Sequence, residues 1–559
     1  MTARASSPPF RAALLAGAAL LAPEAARAAD IVQNPVDRAD PSVLQRQLAP
    51  EERRQAPPPA LTVAPARSEA PVPEGPPIVA GAIRVDGATV LPPAAFAAAI
   101  EPYLGRPLGP DDLRALARDV ATAARHAGFP LATAWVPAQG LEAGVLHVTI
   151  DEGRIDAIEA QGPGHEMVER RLASLATGRP VRTAELERAL LLLADMPGIS
   201  YGQPRIVRRG GRNILVLATG FDRVQGRAIV DNAGSATAGP ERVRLGVDIN
   251  GALIHGDRLS LGGMVTPLQP REFQLAEASY RAPVGHGGTE VGVSGYVGHS
   301  RAGGSLSSAD VEGVSRQAQL SASHPLLRTR AASVWANFAL TLRDSFIDEA
   351  GTRLRDDRVV TASANIFANG QLGGGRVRAQ LAYVQGLDWL RATIRGDPLA
   401  SRPDGGGPFS VGRAWIQYDR SLGGRFSMEL SGEAQLSSRP LLASEELGLG
   451  GRQFLRAFDY WEVSGDQGAA VSAELRYDIT GHLPARMQRL QLYLYADAGR
   501  VTNLQNGFGG GSLASAGGGA RAWFSRGVEA AVELGIPLTD SPFNPNPDPR
   551  FSFSLGSRF

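Results

Sequence analysis

The chain has 559 residues, 57 basic against 56 acidic side chains, a formal net charge of +1, and no cysteine. The length exceeds one ordinary soluble core, so several domains are expected, and the charge balance argues against a nucleic-acid or polybasic membrane-surface binder. Without cysteine there are no thiolate zinc sites, disulfides or thiol catalysis. Every cation is arginine, a bias to which no function is attached.

Residues 1–28 read as a secretory signal peptide. Arg4 and Arg11 precede an apolar run over 12–22, and Ala26-Arg27-Ala28 forms an A-x-A site. No later segment approaches the ~18 consecutive apolar residues of a membrane helix, so membrane residence is expected to come from β-structure. Residues 29–77 hold a polar helix and a linker. The helix is predicted over 40–55, with Asp40 as N-cap and Pro41 at its first position. Its apolar content is low, so it should bury little, docking in something polar or staying loose. Proline and alanine then dominate 57–77, a semi-rigid extended linker.

Two small α/β units follow, over 78–153 and 154–221, each reading β-α-α-β-β. In the first, a helix starting at Pro110 places Leu113, Leu116, Val120 and Ala124 on one face and stops at Gly128. In the second, Thr183 is the expected N-cap and Pro197-Gly198 the stop of TAELERALLLLADMPG. Two copies of one fold without catalytic residues look like recognition modules.

From 222 to 559 the period becomes two. In FSMELSGEAQL, Phe426, Met428, Leu430, Ala434 and Leu436 alternate with polar residues, and AVSAELRYDI behaves likewise. Repeated over ~9 to 11 residues, this is the signature of membrane strands. Sixteen candidate strands are counted, an even number as a single-chain bacterial barrel requires. The predicted fold is a 16-stranded antiparallel transmembrane β-barrel behind two periplasmic domains. A soluble β-sandwich or β-helix would alternate too, but explains neither the signal peptide nor alternation running to the last residue. There, RFSFSLGSRF presents Phe551, Phe553, Leu555 and a terminal Phe559. These are expected to form the closing strand and to be read by the barrel-assembly machinery, or to serve only as interfacial anchors.

Enzyme signatures are not found. There is no G-x-S-x-G elbow, HEMVE at His165 lacks the second histidine of a zinc-protease helix, and glycine runs such as GQLGGGR lack the Lys-Ser/Thr of a phosphate loop. Glu445-Glu446 reads as a solvated pair rather than an acid/base couple. No cofactor or metal is expected.

These residues resemble the outer-membrane transporters of two-partner secretion, the haemolysin secretion/activation family. The paired small units are similar to that family's POTRA domains, and VTIDEGRIDAI to the join between them. DNAGSATAGPERV, GDRLSL and SYRAPVG resemble early barrel stretches, and helix plus linker resembles the pore-plugging helix. The most specific match is GGRQFLRAFDYWEVSGDQG. In the family this extracellular loop folds back into the barrel with Val-Arg-Gly-Tyr/Phe at its tip. Here the tip is Leu455-Arg456-Ala457-Phe458, with Gly450, Gly451, Arg452, Gly465, Asp466 and Gly468 supporting it. Ala457 replaces the family glycine, so either the tip backbone is ordinary or a small cost is carried there. The resemblance implies that Arg456 meets an Asp in a Phe-x-Asp-x-Gly pattern, here Tyr495, Asp497 and Gly499. A bidentate arginine–carboxylate pair would orient the loop better than lysine could.

The implied function is a pore that moves a large exoprotein (an adhesin, haemolysin or related toxin) to the cell surface without ATP. The exoprotein would bind through the POTRA domains and the lumen, the protein would act as a monomer in outer-membrane lipid, and nucleic acid would play no part. A barrel-assembly or insertase factor is the alternative, though such factors usually carry more periplasmic domains. A passive porin leaves the repeated α/β units unexplained.

Overall fold

The computed structural model describes residues 36–46, 62–63, 76–139, 143–479, 481, 483–505, 507, 509–542 and 545–559. The expected signal peptide and the part of the expected helix beyond residue 46 lie outside them. Two compact units divide the chain: one holds residues 54–223 with 328–330, the other the first 53 residues, 224–327 and 331–559.

In the first unit, two small domains are each built from helices on a sheet. The elements of the earlier domain are β2 (Ile78–Val79), β3 (Ala82–Asp86), α2 (Ala97–Ile100), β4 (Pro107–Leu108), α3 (Pro110–His126), β5 (Thr133–Trp135) and β6 (Val145–Asp151). They follow α1 (Pro41–Arg46) and β1 (Thr62–Val63) in the chain. Strands β3, β6 and β5 form one sheet, with β3 and β6 parallel. Helix α3 begins where expected, because Pro110 needs no N–H partner and the Asp112 carboxylate accepts the Gly109 N–H at 2.9 Å. Its predicted face, Leu113, Leu116, Val120 and Ala124, is buried with Phe96, Phe129, Leu146 and Val148. Gly128, at φ +99°, takes the chain out of the helix.

The later domain holds β7 (Ala157–Gln161), α4 (His165–Leu172), α5 (Thr183–Ala194), β8 (Ile199–Tyr201), β9 (Arg205–Arg209) and β10 (Arg212–Phe221). Its core gathers Val168, Leu172, Leu186, Leu190, Leu193, Leu215 and Leu217. Thr183 is not the N-cap: it is the first helical residue, and its hydroxyl donates to the Gly128 carbonyl at 3.2 Å. Arg182 takes the cap position, its N–H donating to the Glu185 carboxylate at 3.3 Å. Glu185 three residues on therefore supplies the reciprocal half of a capping box, accepting the cap residue's own N–H rather than one of the first-turn N–H groups that a Thr183 cap would have satisfied.

The second unit is a closed barrel of sixteen antiparallel strands. In order these are β11 (Val224–Asp231), β12 (Arg242–Asn250), β13 (Arg258–Val265), β14 (Phe273–Val284), β15 (Thr289–Arg301), β16 (Val311–Arg328), β17 (Ala332–Glu349), β18 (Thr352–Leu372), β19 (Gly375–Leu387), β20 (Ser410–Gly423), β21 (Phe426–Ser437), β24 (Gln467–Ile479), β25 (Met487–Thr502), β26 (Gly511–Phe524), β27 (Val528–Pro537) and β28 (Arg550–Arg558). A small ribbon of β22 (Leu447–Leu449) and β23 (Val463–Gly465) lies within the loop joining β21 to β24. Alternation sets the facing: Phe426, Leu430, Leu436, Val471 and Leu475 are exposed on the outer surface, while Gln435, Ser472 and Glu474 are buried inside. Strand β28 closes on β11 from Arg227–Arg558 to Asp231–Ser554. Phe559 extends that seam by exchanging backbone hydrogen bonds with Gly226 at 2.6 and 3.0 Å. Phe551, Phe553, Leu555 and Phe559 all point outward and are exposed. The loops 388–409 and 438–466 lie at one end, and the turns 373–374 and 424–425 at the other.

Candidate functional site

Loop 438–466 returns into the barrel and is pinned at its tip by Arg456. The guanidinium grips Asp497 on β25 through Nε at 3.2 Å and Nη2 at 3.3 Å, and the Arg456 backbone N–H donates to the same carboxylate at 3.1 Å. Nη1 reaches Glu474 at 2.8 Å and Glu533 at 3.3 Å, and Nη2 reaches the Ser472 hydroxyl at 3.3 Å. The same group lies 3.5 Å from the ring centre of Tyr495, a cation–π contact in a desolvated setting. The Arg456 side chain is 9% exposed and that of Asp497 0%. Burial opposes the arginine's charge, but Asp497 first, then Glu533 and Glu474, outweigh it, so the guanidinium is held above its ordinary range. The predicted Arg456, Asp497 and Tyr495 therefore meet. Glu474, Glu533 and Ser472 were missed, because an inward carboxylate in an alternating strand carries no mark of its partner.

The backbone at Ala457 resolves the question raised by its substitution. The left-handed residues of the tip region are Leu455 (φ 60°) and Trp461 (φ 56°); Ala457 lies outside that region. Its Cα and Cβ approach Gly535 of β27 so closely that a Cβ there would fall 2.9 and 3.1 Å away. Room for the tip thus comes from Gly535 on the wall. Gly499 does the same for Leu449, whose Cδ1 would stand 2.9 Å from an added Cβ. Leu449, Phe454, Leu455, Ala457, Phe458 and Val463 then pack on Ala470, Val501 and Leu513 of the wall. Of the other supporting residues, Gly450 and Gly451 have positive φ, Arg452 stands 3.5 Å from Asp231, and Gly465 ends β23 while Gly468 lies in β24.

Glu445 and Glu446 are not the solvated pair the sequence suggested; they are 4% and 5% exposed. The loop's return carries them inward, where Glu445 pairs with Arg343 of β17 at 2.7 Å and Arg413 of β20 at 3.1 Å. Glu446 accepts from the Ser464 hydroxyl at 2.7 Å and stands 3.3 Å from Arg402. Arg402 also binds Asp466 at 2.8 Å and Asp404 at 2.7 Å, and Asp466 accepts the Leu441 and Leu504 N–H groups, each at 2.7 Å. The stem is therefore tied as firmly as the tip. Burial first, then the charge of Asp37, pushes the Glu446 carboxyl up to about 8.

Helix α1 sits against this loop and the barrel wall. Asp40 caps it as expected, its Oδ1 accepting the Ser42 N–H at 2.8 Å, while Oδ2 accepts the Ser345 hydroxyl at 2.6 Å. Asp37 pairs with Arg355, and the Ser300 hydroxyl donates to the Ala39 carbonyl. Arg38 donates to the Trp461 carbonyl at 3.2 Å and pairs with Glu462 at 2.8 Å. Despite its polar composition the helix is buried: Val43 and Leu44 pack with Phe273, Tyr296, Tyr460 and Trp461. The helix docks in a polar seat, one of the two expected outcomes, but the expectation of little burial fails because the seat supplies partners for Asp37, Arg38 and Asp40, which lets polar residues be covered.

A sixteen-stranded barrel with an inward-folded, arginine-pinned loop and preceding small α/β domains defines an outer-membrane transport barrel with periplasmic domains. The haemolysin secretion/activation protein family ShlB/FhaC/HecB matches residues 210–522, more than half of the chain, and the ShlB-type POTRA domain matches residues 80–153. The chain belongs to the ShlB/FhaC/HecB family. It is 22% identical over 394 residues to the heme/hemopexin transporter protein HuxB of Haemophilus influenzae (strain 86-028NP), covering 67% of each chain. It is 24% identical over 489 residues to the outer membrane transporter CdiB of Escherichia coli O6:K15:H31, covering 80% of this chain and 77% of that one. The solved structure of CdiB from Escherichia coli matches with a TM-score of 0.74 at 21% identity, over 96% of this chain and 100% of that chain. BamA from Haemophilus ducreyi shares the fold at a TM-score of 0.52 and 12% identity.

Proposed function

We propose that this protein is the pore through which a large partner exoprotein reaches the cell surface in two-partner secretion. The observation that carries this reading is the loop tip held by Arg456 against Asp497, Glu474 and Glu533 inside the barrel. A re-entrant loop fixed by buried charges is a two-position element: docked it fills the interior, released it leaves a polar passage. Helix α1 is read as the plug that leaves before transport, and residues 1–28 as the export signal. The modules over 78–153 and 154–221 are read as the periplasmic receptors and 222–559 as the conduit, working as a monomer without enzymatic activity. An extended substrate segment adding to a sheet edge would be held through its backbone, which suits a long and varied polypeptide. Folding of the substrate outside prevents backsliding and replaces ATP as the source of direction. Phe559 and its outward neighbours are read as the signal for barrel assembly.

The family match favours secretion over barrel assembly, since the resemblance to BamA is one of fold. The test compares culture-supernatant and surface proteins of a strain lacking this protein with its parent. Loss of one or two large exoproteins with other barrels unchanged is expected; general loss of outer-membrane barrels would overturn the reading.

A further inference from the structure

Charge returns to the outer surface of the barrel near the loop end of β16, β17 and β18. Below that level the outward positions are apolar and exposed, as at Leu320 of β16, Phe338 and Leu340 of β17 and Ile366 of β18. Toward the loops the same outward rows reach Arg316, Asp344 and Arg358. Arg316 is exposed and follows Ser315, which is buried inside. Asp344 stands opposite Arg358, whose Nε and Nη2 hold its carboxylate at 2.6 and 3.2 Å. On the inner side Arg343 donates to the Gln317 side chain at 3.0 and 3.1 Å, so the outward neighbours Arg316 and Asp344 stand at one height on adjoining strands. One carboxylate thus lies between two guanidiniums and pairs with Arg358. Among the described residues the Arg316 side chain has no hydrogen-bond or ion-pair partner.

The loop that leaves β19 extends this surface. Trp389 to Ala392 form a turn in which the Ala392 N–H donates to the Trp389 carbonyl at 3.0 Å. Both central residues have positive φ, Leu390 at 53° and Arg391 at 64°. Such turns take Asn-Gly by preference, because larger side chains crowd the left-handed backbone. Here the strained positions carry an apolar and a cationic side chain, both exposed, and strain of that kind persists where function uses the side chains. Arg358 Nη1 donates to the Leu390 carbonyl at 3.2 Å, which sets the turn beside the charged row. Trp389, Leu390 and Ile394 are each more than half exposed. Water gives three large apolar side chains on one short loop no reason to be there. They continue the lipid belt upward, with tryptophan at the level where headgroups begin. The Arg391 side chain, like that of Arg316, has no partner among the described residues.

We propose that this rim binds a phosphorylated saccharolipid of the outer leaflet, a headgroup of the lipid A type. Arg316, Arg358 and Arg391 take its phosphates, and Trp389, Leu390 and Ile394 lie among its acyl chains. The long loops of an outer-membrane barrel are extracellular and its short turns periplasmic, which puts the rim at the outer leaflet. Guanidinium suits phosphate because it offers paired N–H groups to paired oxygens. Two strand spacings, ~10 Å, separate β16 from β18, a span that a disaccharide with a phosphate at each end bridges. A zwitterionic headgroup brings its own cation to the arginines and gains less. The proposal rests on residence in the outer membrane and is independent of what the barrel transports. Loop 388–409 also carries Arg402, which binds Asp466 at 2.8 Å, so lipid held at the rim steadies the loop against the stem of loop 438–466.

The full-length protein, purified in mild detergent and stripped of lipid, is titrated with bisphosphorylated lipid A, with its dephosphorylated form and with phosphatidylglycerol. Native mass spectrometry reads the bound lipid, and variants are compared as folded barrels, scored by mobility on unheated gels. Bisphosphorylated lipid A is expected to bind more tightly than either of the others. An arginine beside an anionic lipid surface contributes about fivefold, so Arg316→Gln with Arg391→Gln should weaken binding roughly twenty-fold. Asp344→Asn removes the carboxylate from the row and frees Arg358, so it should strengthen binding several-fold, a gain that damaged folding does not produce. Arg420→Gln changes an exposed outward arginine near the turn end of β20 and should leave binding as it was. Equal binding of phosphorylated and dephosphorylated lipid A would reduce the rim to apolar anchoring and overturn the proposal. Phosphatidylglycerol binding as tightly would overturn the assignment to saccharolipid. Unchanged binding in the double variant, an equal loss in Arg420→Gln, or no gain in Asp344→Asn would each overturn the site.

Discussion

Arg456 satisfies three carboxylates at once, and its removal leaves Asp497, with a fully covered side chain, beside Glu474 and Glu533. Breaking a buried pair by deleting one partner typically costs ~3–5 kcal/mol. Arg456→Ala is therefore expected to undock the loop tip and abolish most secretion at normal protein levels; secretion equal to the parent would sink the loop mechanism. Lysine retains charge but cannot reproduce the two-nitrogen grip on Asp497 or the stacking on Tyr495, so Arg456→Lys should fall between the two. Ala457→Gly, which restores the family residue, should do little. Position 457 does not use the left-handed region, so glycine adds only chain entropy, a loss of about 0.5–1 kcal/mol. The midpoint of heat-induced unfolding on gels would show this as a small downward shift, and a clear rise would mean that alanine is strained there.

At the scale of the element, the stem of the loop should respond to pH through Glu446. Its carboxyl, pushed by burial from an ordinary value of 4.5 to about 8, favours the protonated form in the docked loop. A raised carboxyl contributes stability that is full below the ordinary value and is lost as pH rises through the raised one. Protease resistance of loop 438–466 should accordingly be greater at pH 5 than at pH 9, and Glu446→Gln should flatten the difference; an unchanged slope in that variant would assign it to other groups. The closing strand gives a second test. Removing Phe559 deletes two backbone hydrogen bonds at the seam and the proposed assembly signal, so outer-membrane levels should drop, and unchanged levels would leave only an anchoring role. Elements of this kind differ in how far sequence betrays them. Barrel strands such as Phe426–Ser437 were legible because lipid on one side and polar interior on the other impose a strict period of two. The seat of α1 was not, since Arg355, Ser345 and Glu462 lie hundreds of residues away in the chain. Nor was β1, two residues inside a proline-rich stretch. Glu533 left one trace: Gly517 and Gly519 stand opposite Tyr495 and Tyr493, where an added Cβ would meet each ring within 2.8 Å. Glycines facing tyrosines on an inner wall signal a crowded site before its charges can be assigned.

Across the barrel unit as a whole, helix and loop hold one another. Arg38 binds Glu462 and the Trp461 carbonyl on the descending side of the loop, while Arg456 fixes the tip and Glu445 the stem. If the loop moves as one body, losing either arginine releases the same element, and a second loss adds little. If helix and tip are independent, their effects sum. A double-mutant cycle separates these cases. Single-channel conductance in planar bilayers would be measured for Arg38→Ala, Arg456→Ala and the pair, with deletion of residues 29–53 as the reference for an emptied seat. The expectation is that each single change raises the open fraction and that the double variant exceeds the larger single by much less than the sum. That result would make departure of the helix and release of the loop one event, so that a pull on the linker from the periplasmic side also loosens the loop. Strict additivity would instead require two separately triggered steps, and the Arg38–Glu462 pair would then be a local contact with no part in opening.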